Sequence, residues 1–372
     1  MIRRITFLLL CLFLMHSTHA NKGRTTAVKI GFITEQSGSK LLQLLTPETL
    51  EELKRLNASV KISIQDLSVD KAEAVKVLQQ NNIPVTAWIL FPSSMQYWIN
   101  ADNLYSEQET SHIIQRYRDF QRWTSKHNLK WERIAFSITP YDSDRKVASS
   151  STLNQTKVIW KRLLKNNAQE KANQLMAPIY QLIKQDGYAI DAFASPYELL
   201  AQDVASEGWH NLNHTFTVEN ARSIPLFFNH FTNNEQRTVA LHVVYAQDHP
   251  AIAIGSLNNS KPLSEYKNRS PLSLASIHQH FHYAREMNKE VWIYGLKGAV
   301  QKNLLSRIDP FESAHHQRLD QDLAKRVNRE GSNAKLIFQM MHYPKLILAL
   351  LVIYLLLIGL SIRKGFLIYR SR

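Results

Sequence analysis

The strongest constraint on the fold is a repeated alternation of apolar, β-branched segments with stretches of helical spacing. In the first half of the chain the apolar segments are VKIGFIT, SVKISIQDL, IPVTAWILFP, RIAFSITP and YAIDAFASP. Such alternation predicts a parallel sheet covered by helices, because each return to a parallel strand needs a crossover connection. Right-handed crossovers can close a sheet of this length into a barrel. The sequence therefore predicts a TIM-like (β/α)8 barrel.

The second half of the chain is less regular. TVALHVVYA and AIAIGSL both have the composition of strands, yet too few residues separate them for a crossover helix. Residues 209–234 show no clear period and are interpreted as an irregular excursion. Regular order returns with a helix in PLSLASIHQHFHYAREMNKE and a last strand in VWIYGLKGAV. We therefore expect a barrel that is irregular in its third quarter.

Both ends of the chain have the composition of targeting segments. Arg3 and Arg4 precede a short apolar run, which predicts a signal peptide over residues 1–20. Residues 344–362 are almost wholly apolar and are followed by a basic tail over residues 363–372. This pattern predicts one membrane-spanning helix with a cytoplasmic tail. On this interpretation the body of the protein is exported and lies on the periplasmic or other extracytoplasmic side.

Two segments are expected between the signal peptide and the membrane helix. The barrel domain is predicted over residues 21–306, and residues 307–343 are predicted to form an amphipathic stem and a hinge. Leu319, Leu323 and Val327 have the spacing of one helix face, and GSNAK follows as the flexible hinge. The stem would then join the barrel to the membrane.

Cysteine usage and charge exclude several classes of function. The single cysteine, Cys11, lies in the predicted signal peptide, so the mature chain has no disulfide, cysteine nucleophile or cysteine-based zinc site. The formal net charge is +14, but no dense basic run is interleaved with aromatic residues, which argues against a nucleic-acid ligand. A basic exterior suits an anionic membrane or acidic glycans. His278, His280 and His282 alternate without an acidic partner, so neither a metal nor another cofactor is predicted.

Three segments at predicted strand ends point to a known family. They are AWILFPSSMQYWINADN at the third strand, SITP at the fourth and IYGLKG at the last. In this order they resemble secreted or membrane-anchored bacterial TIM barrels related to glycoside hydrolases. The resemblance implies a barrel that handles carbohydrate. Those relatives end the fourth strand in Asp-Leu-Glu-Pro, whereas this chain has Ser137, Ile138, Thr139 and Pro140. Because Ser and Thr cannot replace a catalytic carboxyl pair near neutral pH, the resemblance supports the fold more than hydrolysis.

Two sets of residues could form a carbohydrate site at the carboxyl ends of the strands. If hydrolysis survives, its acids come from other strand ends, and the best candidates are Glu35, Glu198 and Asp142. Aromatic rings suit the faces of sugars. The predicted ligand-binding residues are Tyr97, Trp98, Ser137, Thr139, Tyr141, Tyr197, Tyr245 and Asp248. Two functions stay open: a glycan-binding or scaffolding barrel that has lost its acids, and an active glycosidase for a cell-envelope or exopolysaccharide glycan.

Overall fold

The chain folds into a closed barrel of eight parallel strands in sequence order. The computed structural model describes residues 27–90, 107–137, 163, 168–213, 220–228, 234–257, 271–311, 319–341 and 343–370. The strands are β1 Lys29–Thr34, β2 Ser59–Ile64, β3 Val85–Ile89, β4 Arg133–Ser137, β5 Ala189–Ala194, β6 Arg222–Phe228, β7 Ala251–Gly255 and β8 Glu290–Tyr294. β8 pairs with both β7 and β1 and so closes the sheet. The predicted (β/α)8 barrel is confirmed.

Helices surround the barrel and continue beyond the last strand. Those of the first half are α1 Gly38–Leu44, α2 Pro47–Arg55, α3 Val69–Gln80, α4 Glu107–His127 and α5 Ala168–Gln185. They are followed by α6 Pro196–Asp203, α7 Glu207–Asn213, α8 Glu235–Tyr245, α9 Leu274–Glu286 and α10 Leu296–Gln301. The chain then forms α11 Gln321–Met341 and α12 Pro344–Arg370. The predicted signal peptide lies outside the described residues.

The strand period of two divides the apolar residues between two cores. One set, which includes Ile30 and Val60, packs between the sheet and the helices. The other set, which includes Ile33, Trp88 and Trp292, fills the inside of the barrel. Glycine is required at position 31 in β1, because a Cβ there would overlap the ring of Trp292.

The third quarter of the barrel is regular, which corrects the expectation from the sequence. β6 lies within the region predicted to be irregular and pairs with β5 and β7. TVALHVVYA was expected to be a strand and instead forms most of α8. Asn234 begins that helix by accepting a hydrogen bond from the backbone N–H of Arg237, and Val239 and Leu241 are buried. The few residues between TVALHVVYA and β7 are therefore a loop that joins α8 to β7, and α8 itself is the crossover helix between β6 and β7.

The segment predicted to be a hinge is helical. GSNAK, residues 331–335, lies in the middle of α11. This helix packs against α8, α6 and α7, with Val327 and Phe338 buried. Gly331 allows α11 to lie close to Tyr245 of α8, because the Tyr245 hydroxyl occupies the space that a Cβ at position 331 would fill. α11 is therefore part of the outer layer of the barrel.

The last helix, α12, follows α11 almost directly and is 27 residues long. Within the described part of the chain, no helix meets the combined length and apolarity of a membrane span.

Candidate functional site at the mouth of the barrel

A carboxylate and a phenol meet at the carboxyl ends of β1 and β8. Glu35 directly follows β1, Tyr294 ends β8, and the pairing of the two strands sets Ile33 opposite Tyr294. The Tyr294 hydroxyl donates a hydrogen bond to Oε1 of Glu35. Tyr294 is buried and Glu35 is half-buried, so the carboxylate is the more accessible of the two. This end of a parallel barrel is where the active sites of the fold lie.

A second aromatic ring lies beside Tyr294. Phe228 ends β6, and its ring centroid is 5.3 Å from that of Tyr294, with the ring planes inclined by 50°. Deeper in the barrel, Trp88 and Phe193 pack edge to face with centroids 5.6 Å apart. The mouth therefore combines a half-buried ring, a phenol and a hydrogen-bonding carboxylate. Apolar faces next to a few fixed polar groups are the pattern of a small-ligand site, and sugars match it well.

The fourth strand has no carboxylate. β4 ends at Ser137, whose backbone pairs in register with Phe193. The residues that follow are Ile138, Thr139, Pro140 and Tyr141. The remaining predictions for this region, Tyr97, Trp98, Thr139, Tyr141 and Asp142, lie outside the described residues, as does the side chain of Ser137. The aromatic rim that these residues would form stays a prediction.

Glu198 has a structural role at the start of α6. It forms a capping box with Ser195: the Ser195 hydroxyl accepts from the Glu198 backbone N–H, and Oε2 of Glu198 accepts from the Ser195 backbone N–H. The side chain is 2% exposed, and burial raises the pKa of its carboxyl to about 8, against the lowering effect of the Ser195 hydrogen bond. Among the described residues its Oε1 atom has no hydrogen-bond partner. The capping box therefore accounts for Oε2 of Glu198 and gives the residue a structural role.

Of three further predicted ligand-binding residues, Tyr245 and Asp248 lie away from the mouth, whereas Tyr197 closely follows the carboxyl end of β5. Tyr245 ends α8 on the outside of the barrel and donates a hydrogen bond to the Val327 carbonyl at 2.9 Å. Tyr197 lies at the start of α6, where its side chain interacts with Arg237. The prediction for Asp248 depends on TVALHVVYA being a strand. Because that segment is α8, Asp248 precedes β7 and lies at the opposite, amino end of the strands.

The amino end of the barrel contains a network of charged side chains that no sequence motif predicts. The fully buried Lys61 Nζ and Asp191 Oδ2 are 2.9 Å apart. Arg222 also binds Asp191 at 2.9 Å, and Arg133 binds its other oxygen. Arg222 extends the network to Glu290. The sequence does contain one indication of this network, which is a charged residue in the middle of an apolar strand: Lys61 in SVKISI and Asp191 in AIDAFA.

The network is electrostatically coupled. Burial raises the pKa of Asp191, but Lys61, Arg222 and Arg133 outweigh burial and hold that pKa well below its usual range. Burial also lowers the pKa of Lys61, against the attraction of Asp191. The Lys61 ammonium lies 4.2 Å from the ring centroid of Trp292, a cation–π contact. The network joins β2, β4, β5, β6 and β8 towards their amino ends, whereas Glu35 follows the carboxyl end of β1, so the role of the network is structural.

A buried pair of histidines joins α8 and α9. The Nδ1 atoms of His242 and His280 are 3.0 Å apart, and the rings stack with centroids at 5.2 Å. At this distance one ring donates and the other accepts, which requires the accepting ring to be neutral. Within the described residues no three His, Cys, Asp or Glu side chains are grouped so that they could hold a metal ion.

The comparisons with known proteins give no family. No model of a known protein family matches the sequence, and no curated protein matches it. Among solved structures, a GH18 chitinase from Pseudoalteromonas aurantia is similar with a TM-score of 0.42 at 10% identity, over 75% of this chain and 100% of the chitinase. A Bacteroides ovatus GH5 xyloglucanase in complex with a XXXG heptasaccharide gives 0.37 at 14% identity, over 77% and 67%. Scores this low do not support a relationship with either enzyme. The class of the protein, a closed (β/α)8 barrel, follows from its own strand order.

Proposed function

We propose that this protein is a membrane-attached, extracytoplasmic barrel that binds a glycan at its mouth and has lost paired-carboxylate hydrolysis. The main support is the arrangement of Glu35, Tyr294 and Phe228 at the carboxyl ends of the strands, together with a fourth strand that ends in Ser137. The closed barrel and its apolar interior supply a rigid floor for such a site.

Binding would use the three side chains in different ways. The Glu35 carboxylate accepts hydrogen bonds from sugar hydroxyls, and Tyr294 fixes its orientation. The half-buried Phe228 ring offers an apolar face for the C–H groups of a sugar ring. Stacking and hydrogen bonding of this kind need no acid in the right protonation state, so binding survives the loss of the catalytic pair.

Hydrolysis by a carboxyl pair needs two such groups about 5–10 Å apart on opposite sides of the bond. The neighbouring strand-end carboxylate, Asp66, is already bound by the Ser68 hydroxyl and lies 3.6 Å from the Lys71 ammonium. Glu198 is sealed in its capping box. The described strand ends therefore offer Glu35 without a matching second acid.

The second candidate function is an active glycosidase with relocated acids. The position of Glu35 at the mouth, hydrogen-bonded to a phenol, favours it. In that case Glu35 acts as the acid or the nucleophile, and Asp142 is the predicted partner. The two functions differ in one measurable property, which is turnover.

The deciding experiment is a screen of the purified protein against bacterial polysaccharides, scoring both binding and the release of reducing ends. We expect binding without turnover. Phe228→Ala should weaken binding by about 1–3 kcal/mol, as for an aromatic hot spot. Glu35→Gln should also weaken it, and Asp248→Asn, at the opposite end of the barrel, is the matched control. Turnover abolished by Glu35→Gln would establish the glycosidase, and binding to no glycan would remove both functions.

Membrane attachment is the second part of the proposal. Its support is the apolar composition of residues 344–362 and the outward exposure of large apolar side chains along α12: Leu346, Leu350, Ile353, Leu357 and Leu360. The basic residues after position 362 are the expected cytoplasmic flank. Protease added to spheroplasts should digest the barrel and leave a small protected tail. A full-length protein that resists the protease would contradict this topology.

A further inference from the structure

The outer face of α11 changes from basic to apolar along the helix. We define this face as the exposed residues Lys325, Arg326, Arg329, Leu336, Ile337 and Met340. The three apolar side chains are 58%, 50% and 52% exposed. Their spacing of one and four residues places them on one side of the helix, in its last turns. Large apolar side chains grouped in this way on a soluble surface mark an interaction site.

The opposite face of α11 is fixed to the barrel. The Phe338 ring packs on Trp209 with centroids 4.3 Å apart, and the Ser206 hydroxyl donates to the Phe338 carbonyl at 2.6 Å. At the flank of the helix, Lys335 pairs with Asp203 at 2.8 Å. Because these contacts hold α11 in one rotation about its axis, the outer face cannot turn inward. It remains exposed unless another surface covers it.

The apolar end of the outer face continues into α12. Tyr343 is exposed between the two helices, and exposed apolar side chains resume at Leu346. The basic end lies at the start of α11, where Lys325 pairs with Asp322 at 3.6 Å. A helix with an apolar side and basic residues beside it matches the boundary between lipid headgroups and acyl chains.

We propose that the outer face of α11 lies on an anionic lipid surface. Leu336, Ile337 and Met340 enter the acyl boundary, and the basic residues of the face lie among the headgroups. The proposal rests on the membrane attachment through α12 proposed above. Because α11 is packed on α6, α7 and α8, this contact sets the orientation of the whole barrel, with the β5–β7 side towards the bilayer.

The test uses the full-length protein in vesicles of phosphatidylcholine with about a third phosphatidylglycerol. In a Cys11→Ser background, a polarity-sensitive fluorophore is attached at Ile337→Cys. The matched control is Glu51→Cys on α2, which lies on the opposite side of the barrel and is exposed. Both positions are at the surface, so both variants should fold, and equal melting temperatures check this.

We expect the label at position 337 to be blue-shifted and several-fold less quenched by aqueous iodide than the label at position 51. The protection should shrink in vesicles of phosphatidylcholine alone, because the headgroup charge is lost. Equal quenching at the two positions in a protein that floats with the vesicles would overturn this proposal and leave the α12 attachment intact. A protein that does not float with the vesicles would overturn both.

Discussion

The Nδ1 atoms of His242 and His280 lie 3.0 Å apart in a fully buried contact between α8 and α9. Burial lowers the pKa of His280 to about 3, and burial together with the charges of His280 and Lys289 lowers the pKa of His242 well below its usual range. Both rings are therefore neutral in the folded protein. In the unfolded chain each would take up a proton near pH 6.5.

The histidine pair predicts a loss of stability in acid. Since the folded-state pKa values are lowered, the unfolded chain binds more protons below pH 6.5, and the free energy of unfolding falls as the pH decreases from there towards about 3. Each histidine contributes at most about 1.4 kcal/mol per pH unit. Urea unfolding from pH 7 to pH 5 measures this slope. His242→Leu combined with His280→Met should flatten it, and His282→Gln, a more exposed position on the same helix, should not.

The buried Glu198 should make the free energy of unfolding fall as the pH rises, which is the opposite of the effect of the histidine pair. Burial raises its pKa from 4.5 to about 8, so the folded protein holds a proton that the unfolded chain releases. Stability therefore falls as the pH rises from about 4.5 to 8, by at most about 1.4 kcal/mol per pH unit. Glu198→Gln keeps the capping acceptor and cannot ionise, so its stability should overtake that of the wild type as the pH rises. The exposed Glu207→Gln at the start of α7 is the control. A difference between wild type and Glu198→Gln that is constant with pH would contradict the assignment.

Asp191 should be the most sensitive member of the buried charge network. Asp191→Asn leaves Lys61, Arg133 and Arg222 without their shared anion, and removing one partner from a buried ion pair costs about 3–5 kcal/mol. Lys61→Met should lower the free energy of unfolding by clearly less, because Asp191 keeps its ion pairs with Arg133 and Arg222. Urea unfolding of the two variants compares these costs directly. Equal losses would show that the lysine is as essential as the aspartate.

Gly208 should control the attachment of α11. A Cβ at this position would overlap the backbone carbonyl of Met341, so Gly208→Ala forces α7 and α11 apart even though alanine favours helix formation. We expect a red shift of Trp209 fluorescence and earlier protease cleavage within α11. Gly359→Ala in α12, where a Cβ meets no neighbour within 4 Å, is the control. Unchanged cleavage in both variants would contradict the close packing.

The barrel could be predicted from the sequence because strand and helix periods are local properties. The sequence did not predict that β6 lies at Arg222–Phe228 and that TVALHVVYA is helical. TVALHVVYA is rich in β-branched residues, and its helical state depends on burial against the sheet. Asn234 followed by Glu235 was an available helix-start signal.

The site shows the same division between local and tertiary information. Glu35 was found from its place after a strand. Its partner Tyr294 was not, because their contact depends on β8 closing against β1, 259 residues away in sequence.

The contact between Ser206 and Phe338 joins residues 132 positions apart, so it can form only after residue 338 has been synthesised. When the ribosome has delivered β8, all eight strands exist, yet Trp209 and Tyr245 still lack the cover that α11 provides. A nascent chain that stops at Ser306 contains all eight strands of the barrel but lacks α11 from the outer helical layer. Closure of the sheet is therefore not the last step of maturation, because Trp209 and Tyr245 are covered only when α11 has packed against them.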